Sequence, residues 1–288
     1  MPADSQNILE ILKLSSVYLE KHQLPSPRLE AELIISHVLG CKRLDIYLRF
    51  DQPMKNDELE KIRVLLKRRS AHEPLQHILG NTSFYNCIFK TDRRALIPRS
   101  DTETLVEECI KIATQQPSAR VLDIGTGSGC IAVTLAKNLP TQIIAAVDID
   151  GEALALAKEN ALLNGVEDRI IFAAADILKP FKTKEPFDLI VSNPPYIALQ
   201  EMADLDREVR DYEPHTALTD GGDGLNFYRR LAELTKEILK SGGWLLVEIG
   251  YQQAESVSAI FDKHALTEIK VLKDLSGNDR VVKARKHL

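Results

Sequence analysis

Apolar positions in the first 75 or so residues recur at helical spacing. In SPRLEAELIISHVLG, Ser26 offers an N-cap, Pro27 a first helical position and Gly40 a stop. Leu29, Leu33 and Val38, with Ile34 beside them, mark the apolar stripe. NDELEKIRVLLKRRS starts a second helix at Asn56 and repeats Leu59, Ile62, Leu65 and Leu66. Its Lys67, Arg68 and Arg69 read as cations favoured at a helix C-terminus, with a partner-binding patch as the alternative. Residues 76–98 turn strand-like with turn formers between, a hairpin joining two domains. From about residue 100 strands and helices alternate. ARVLDIG, QIIAAVDID, RIIFAAAD, PFDLIVSN and WLLVEIG are strands; SGCIAVTLAKNL, EALALAKENALLNG and LNFYRRLAELTKEILKSGG are helices. Strands that are apolar throughout and separated by helices predict a mostly parallel sheet covered on both faces. The tail, EIKVLKDLSGNDRVVKAR, breaks the pattern as an antiparallel hairpin about a Ser-Gly-Asn turn. The chain thus divides into a helical domain (1–75), a hairpin linker (76–98) and an α/β domain (99–288).

Candidate chemistry gathers where strands end. In VLDIGTGSGC, residues 121–130, Gly125, Gly127 and Gly129 let backbone approach a ligand closely at a helix start, with Thr126 and Ser128 between them. The dinucleotide fingerprint wants a small third residue where Cys130 stands, and the Gly-Lys-Ser/Thr of a P-loop is missing. Asp123, just before the loop, suits an ammonium-bearing ligand and would repel a pyrophosphate; a plain capping role for the turn is the alternative. Asp148 ends the next strand, where a carboxylate can accept both ribose hydroxyls, with Asp150 as its neighbour. Asp176 ends the third strand and suits the amino group of adenine, with a helix or turn cap as the alternative, and Ile177 follows it. The fourth strand ends in SNPPY. The Asn193 side-chain oxygen and the Pro194 carbonyl can each accept from one planar –NH2 group, on which Tyr196 can pack. Pro194 and Pro195 hold this stretch extended.

Composition narrows the partners. A net charge of −5 with pI about 5.9 argues against a protein that coats nucleic acid. Cys41, Cys87, Cys109 and Cys130 are scattered without ligand spacing, which points to free thiols and no structural metal. At 44% hydrophobic residues, with charges through its first twenty, the chain reads as soluble and cytoplasmic with no membrane span.

The pairing of DIGTGSG with NPPY resembles S-adenosylmethionine-dependent methyltransferases that act on planar nitrogens. PLQHILG (74–80), LIPRSDTE (96–103), EPHTALTDGGDGLNFYRR (213–230), GGWLLVEIGYQQ (242–253) and GNDRVVKAR (277–285) extend the resemblance to the HemK family of peptide-chain release factor glutamine methyltransferases. Ser100 departs from that family, which usually has a second proline there. The resemblance implies a class I fold: a Rossmann-like seven-stranded sheet closed by an antiparallel hairpin, plus a small helical domain for substrate docking. It implies S-adenosylmethionine on Asp123, Gly125, Thr126, Gly127, Ser128, Gly129, Asp148, Asp176, Ile177 and Asn193. It also implies a release-factor glutamine held by Asn193, Pro194, Pro195 and Tyr196, with Asn193, Pro194 and Tyr196 catalytic, in a monomer. Two alternatives stay open: methylation of a ribosomal-protein glutamine or a nucleic-acid exocyclic amine, and a non-catalytic cofactor-binding module.

Overall fold

The helical periodicity resolves, in a computed structural model describing residues 6–116 and 118–287, into α1 (Ile8–Lys21), α2 (Pro27–Leu39), α3 (Asp45–Leu48), α4 (Asn56–Ser70) and α5 (Leu75–Leu79). The first five residues of the segment expected to be helical lie outside the described residues. Asn7 opens α1 with a capping box: its Oδ1 accepts from Glu10 N at 2.9 Å, and Glu10 accepts from Asn7 N at 3.2 Å. Ile8, Leu12, Leu19, Ile34, Ile35 and Ile62 meet in one apolar core.

Three details differ from the sequence reading. Residues 75–79 form a helix rather than part of the hairpin. Ser26 stands at the N-cap of α2 without a side-chain cap bond. The stripe on α2 also differs: Leu29 is exposed, whereas Ala31, Ile34 and Ile35 are buried together with Glu30 and Glu32. Those carboxylates are matched. Glu32 accepts from Arg43 Nη1 at 3.0 Å and from the Tyr47 hydroxyl. Glu30 takes Arg69 through both oxygens, at 2.7 and 3.0 Å, and Arg69 Nη2 donates to Glu208 at 2.6 Å. Arg69 is therefore a buried structural cation, 2% exposed, and neither reading of the 67–69 run describes it. Glu208 belongs to the short helix Arg207–Tyr212, which the chain returns to this unit long after leaving it. Tyr212 anchors that helix by donating to the Ala71 carbonyl at 2.9 Å.

The second unit holds Asn81–Asp206 and the residues from Glu213 on. Its hairpin, β1 (Asn81–Phe84) and β2 (Cys87–Lys90), turns through Tyr85 and Asn86, both at positive φ as a two-residue hairpin loop requires. Beyond it run α6 (Thr102–Ala113), β3 (Arg120–Ile124), α7 (Cys130–Asn138), β4 (Ile143–Asp148), α8 (Gly151–Leu163), β5 (Ile170–Ala174) and β6 (Phe187–Ser192). After Arg207–Tyr212, which is α9, come α10 (His215–Leu218), α11 (Asn226–Ile238), β7 (Leu239–Glu248), α12 (Ala254–Lys263), β8 (Leu266–Lys273) and β9 (Asp279–Lys286). The sheet order is β5-β4-β3-β6-β7-β9-β8, parallel through β7 and antiparallel at β9 and β8. Successive residues point to opposite faces. Val121, Leu189 and Val191 therefore join the core under α6 and α7, while Leu122, Ile124 and Ile190 join the one under α11 and α12. The helix expected to run to Gly243 stops at Ile238, and Leu239–Gly243 already belong to β7. Gly243 does not stop a helix; it marks an irregularity in strand pairing, where a Cβ would lie 2.9 Å from the Asp188 carbonyl oxygen. Among the described residues no helix is long and apolar enough to cross a membrane.

Glu30→Ala should destabilise the helical unit by about 3–5 kcal/mol, because it leaves Arg69 buried with half its carboxylate partners. Hydrogen exchange of α2 and α4 under mild denaturant measures this, and wild-type protection in the variant would show that the network contributes nothing.

Candidate active site

Parallel pairing sets the ends of β3 and β6 side by side. Ile124 is in register with Ser192, and Ser192 Oγ donates to the Ile124 carbonyl at 2.7 Å. Chain order reverses between these two strands, with β4 and β5 on one side and β7 on the other. Beyond their carboxyl ends a cleft opens, where ligands bind in open α/β sheets. Gly125–Ser128, Asp148, Asp176, Ile177 and Asn193–Pro195 line it, as the sequence reading expected. Leu96, Pro98, Arg99, Thr102, Thr216 and Phe227 line it too and had been assigned no role there. Their one trace in the sequence is that all six fall within the stretches LIPRSDTE and EPHTALTDGGDGLNFYRR.

The Gly-rich loop is held by the neighbouring strand. Gly125 N and Thr126 N donate to the Val147 carbonyl at 2.9 and 3.0 Å, and Gly127 N donates to Asp148 Oδ2 at 2.8 Å. Gly129 is needed for two reasons: its φ is +81°, and a Cβ there would stand 3.0 Å from Ala157 Cβ on α8. Asn160, buried on α8, donates from Nδ2 to the Ser128 carbonyl at 2.9 Å and accepts from Lys90 N at 2.7 Å. That amide joins the loop to β2.

Asp123 is not on the cleft wall. It lies fully buried beneath the loop, where Oδ2 accepts from Thr126 Oγ1 at 2.7 Å and from Ala132 N at 3.2 Å. Its Oδ1 has no partner among the described residues. Burial pushes the carboxyl up to about 7, against the opposing effect of those two bonds. Asp123 thus organises the loop from beneath.

Charges around the cleft are unevenly satisfied. Arg99 Nη2 donates to Glu213 at 2.6 Å, and Arg94 is held by Asp92 at 2.8–2.9 Å and by Glu159 at 2.8 and 3.1 Å. Asp176 pairs with Lys179 at 3.3 Å. Among the described residues, Asp148 and Asp150 accept only backbone N–H groups, Asp148 from Gly127 and Asp150, and Asp150 from Glu152. Such a rim repels a pyrophosphate and accommodates ribose hydroxyls beside a cationic sulfonium. The residues present therefore fit S-adenosylmethionine: Asp148 for the ribose, Asp176 and Ile177 for the adenine, and the glycines for close backbone approach. Among the described residues no cluster of three His, Cys, Asp or Glu is placed to hold a metal.

At the end of β6, Asn193 Nδ2 donates to Thr102 Oγ1 at 3.3 Å, and Thr102 Oγ1 donates to Glu248 Oε2 at 2.6 Å. With its nitrogen turned to Thr102, the amide leaves Oδ1 for the cleft. Glu248 is buried, and burial pushes its carboxyl up to about 7, against the Thr102 bond and the Arg280 charge. Thr102 and Glu248 were missed because α6 and β7 bring them to Asn193 from remote parts of the chain. Tyr196 is placed differently from the sequence reading. It is off the cleft wall, among the apolar side chains around Tyr228 and Ile249, and burial followed by the Glu248 charge pushes its phenol up. Its carbonyl accepts from Gln253 Nε2 at 2.8 Å, and a Cβ on Gly224 would come within 2.4 Å of that oxygen. Tyr196 is thus clamped by its backbone, with its half-buried ring packed against that core.

Comparison with known proteins places both parts of the chain in known families. Residues 10–80 match the PrmC N-terminal domain and residues 101–223 the methyltransferase small domain. The release factor glutamine methyltransferase of Geobacter sulfurreducens is 42% identical over 278 residues, 96% of each chain. That of Fusobacterium nucleatum is 41% identical over 279 residues, 96% of this chain and 78% of its own. A methyltransferase of Pyrococcus furiosus shares the fold, with a TM-score of 0.52 over 80% of this chain and 99% of that one at 16% identity.

Asp148→Ala should weaken S-adenosylmethionine binding by about 1.5–3 kcal/mol or more, since it removes a charged acceptor and also frees Gly127. Calorimetric titration with unchanged affinity would refute the assignment. A second expectation concerns pH. Asp123 and Glu248 bind protons more tightly folded than unfolded, where their ordinary values are 3.8 and 4.5. Their contribution to stability is fully present below about pH 4 and is lost as pH rises through about 7. Melting temperatures across that window should fall with pH for the wild type and fall less for Glu248→Gln; an equal slope in both would exclude Glu248 as a source.

Proposed function

The chain belongs to the release factor glutamine methyltransferases, and on that premise we propose that its cleft presents the side-chain amide of a release-factor glutamine, that of the Gly-Gly-Gln motif, to S-adenosylmethionine, whose sulfonium supplies an electrophilic methyl group. An amide nitrogen is a poor nucleophile because its lone pair is delocalised into the carbonyl. Orientation is what the protein adds. Asn193 Oδ1 and the Pro194 carbonyl accept the two hydrogens of the substrate –NH2 and fix its plane, a proximity effect worth up to ~7–11 kcal/mol in ideal cases. The same two oxygens face the positive charge that develops on nitrogen as it attacks. The alkylated amide is strongly acidic, so its proton leaves without a dedicated base, and no histidine lines the cleft among the described residues.

The observation that carries this reading is the Asn193 amide, turned by Thr102 so that its oxygen is free for the cleft. The helical unit, with no cofactor-binding residue of its own, is left to dock the substrate protein.

Asn193→Ala should lower kcat by about 10²–10³ while leaving S-adenosylmethionine affinity and melting temperature near wild type. Single-turnover methylation of a purified release factor, with the modified glutamine located by mass spectrometry, tests both substrate and residue. Methylation elsewhere, or a wild-type rate in the variant, would overturn the reading.

A further inference from the structure

The Asn193 amide has two ends of nearly equal size and opposite hydrogen-bonding sense, so sterics alone do not choose between them. We propose that Thr102 and Glu248 are positioning residues that set which end faces the cleft, and thereby make it an acceptor for the substrate –NH2. The proposal rests on the reading of Asn193 as the amide receptor and names what orients it.

Thr102 has one hydroxyl hydrogen. Ionised Glu248 is an acceptor only and takes that hydrogen at 2.6 Å. What Thr102 Oγ1 then offers Asn193, 3.3 Å away, is a lone pair, which demands the Nδ2 end of the amide. Asn193 Oδ1 is left to the cleft. Protonation of Glu248 reverses the chain. The new carboxyl O–H donates to Thr102, the Thr102 hydrogen turns toward Asn193, and the amide presents its oxygen to Thr102 and its –NH2 to the cleft. Two –NH2 groups then face each other, and the receptor is lost.

Every group facing Glu248 bears on where it titrates. Arg280 favours the ionised form, as does a hydrogen bond from the Asn193 side chain itself, and Arg280 is paired with Asp101 and Asp274, each at 3.2 Å. Asp101 opposes ionisation. The phenols of Tyr196 and Tyr228 and the thiol of Cys130 are all pushed up by burial, so they stay neutral near pH 7. Tyr228 also donates to the Glu248 carbonyl at 2.9 Å. Asp123 titrates in the same range but bonds to Thr126 and Ala132, outside the relay.

The test is kcat for methylation of a release factor at saturating S-adenosylmethionine, from about pH 5.5 to 9, for wild type, Thr102→Ser, Thr102→Val and Glu248→Gln. Wild type and Thr102→Ser should lose about tenfold in kcat per pH unit below an apparent pKa near 7. Glu248→Gln, whose amide can face Thr102 either way, should lose that acidic limb and run about tenfold or more below wild type at pH 8, with KM for S-adenosylmethionine unchanged. Thr102→Val should do the same. Melting curves at each pH identify any loss that merely follows unfolding. An acidic limb that survives Glu248→Gln, or wild-type kcat in Thr102→Val, overturns the relay while leaving the substrate reading intact. Failure of the wild type to methylate release factor overturns the reading and the relay with it.

Discussion

The register between β3 and β6 fixes how far the Gly-rich loop stands from Asn193, and the rest of the cleft is arranged around that pair. Ile124 opposite Ser192 means that the loop leaves one strand just where the Asn-Pro-Pro run leaves the next. Parallel strands place both exits at the same edge of the sheet, and the reversal of strand order between them leaves that edge uncovered. A slip of one residue would turn Asn193 to the opposite face of the sheet. The Ser192 hydroxyl bond to the Ile124 carbonyl and the two prolines act against such a slip at the point where it would matter most.

Around this edge the protein buries carboxylates that water would stabilise better. Asp123 holds the loop from beneath, and Glu248 orders Thr102 and Asn193 from the other side. Burial raises both to about 7, so the ionised state that a directional hydrogen-bond chain needs is the state the fold tolerates least. Stability and orientation therefore pull in opposite directions as pH rises, and neutral pH is where they meet. Similar reasoning explains the glycines. Gly129 must pass close to Ala157, and Gly224 must pass close to the Tyr196 carbonyl, so each is set by a neighbour as well as by its left-handed backbone.

The helical unit solves a different problem. Its core is small, and it includes Arg69, whose guanidinium needs more than one carboxylate. Glu30 comes from α2 and Glu208 from α9, which the chain supplies only after most of the sheet has been built. Full satisfaction of Arg69 thus waits on a segment remote in sequence. A buried cation missing one partner is strongly destabilising, which makes the return of Arg207–Tyr212 part of the stability of this unit.

The sequence by itself determined the elements whose information is local. Apolar runs bounded by glycine or proline located β3, β4, β5 and β6, the 3.6-residue period located α2 and α4, and Gly-rich and Pro-Pro punctuation marked the two loops that line the cleft. Asp148 and Asp176 were legible because a parallel strand has to end at the ligand edge. Only the tertiary structure decided what faces what. Tyr196 follows the Asn-Pro-Pro run directly, yet its half-buried ring packs against the core under α11 and α12, with Gln253 and the close pass of Gly224 fixing its backbone. Arg69 looks like a solvated end of a basic run until Glu30 and Glu208 reach it from distant helices. Thr102 and Glu248 lie within LIPRSDTE and GGWLLVEIGYQQ, but nothing in either stretch pairs them, since 146 positions separate them and their hydrogen bond exists only once α6 and β7 have packed. Period and punctuation encode direction along the chain, whereas the sense of a buried hydrogen bond depends on partners that only folding brings within 3 Å.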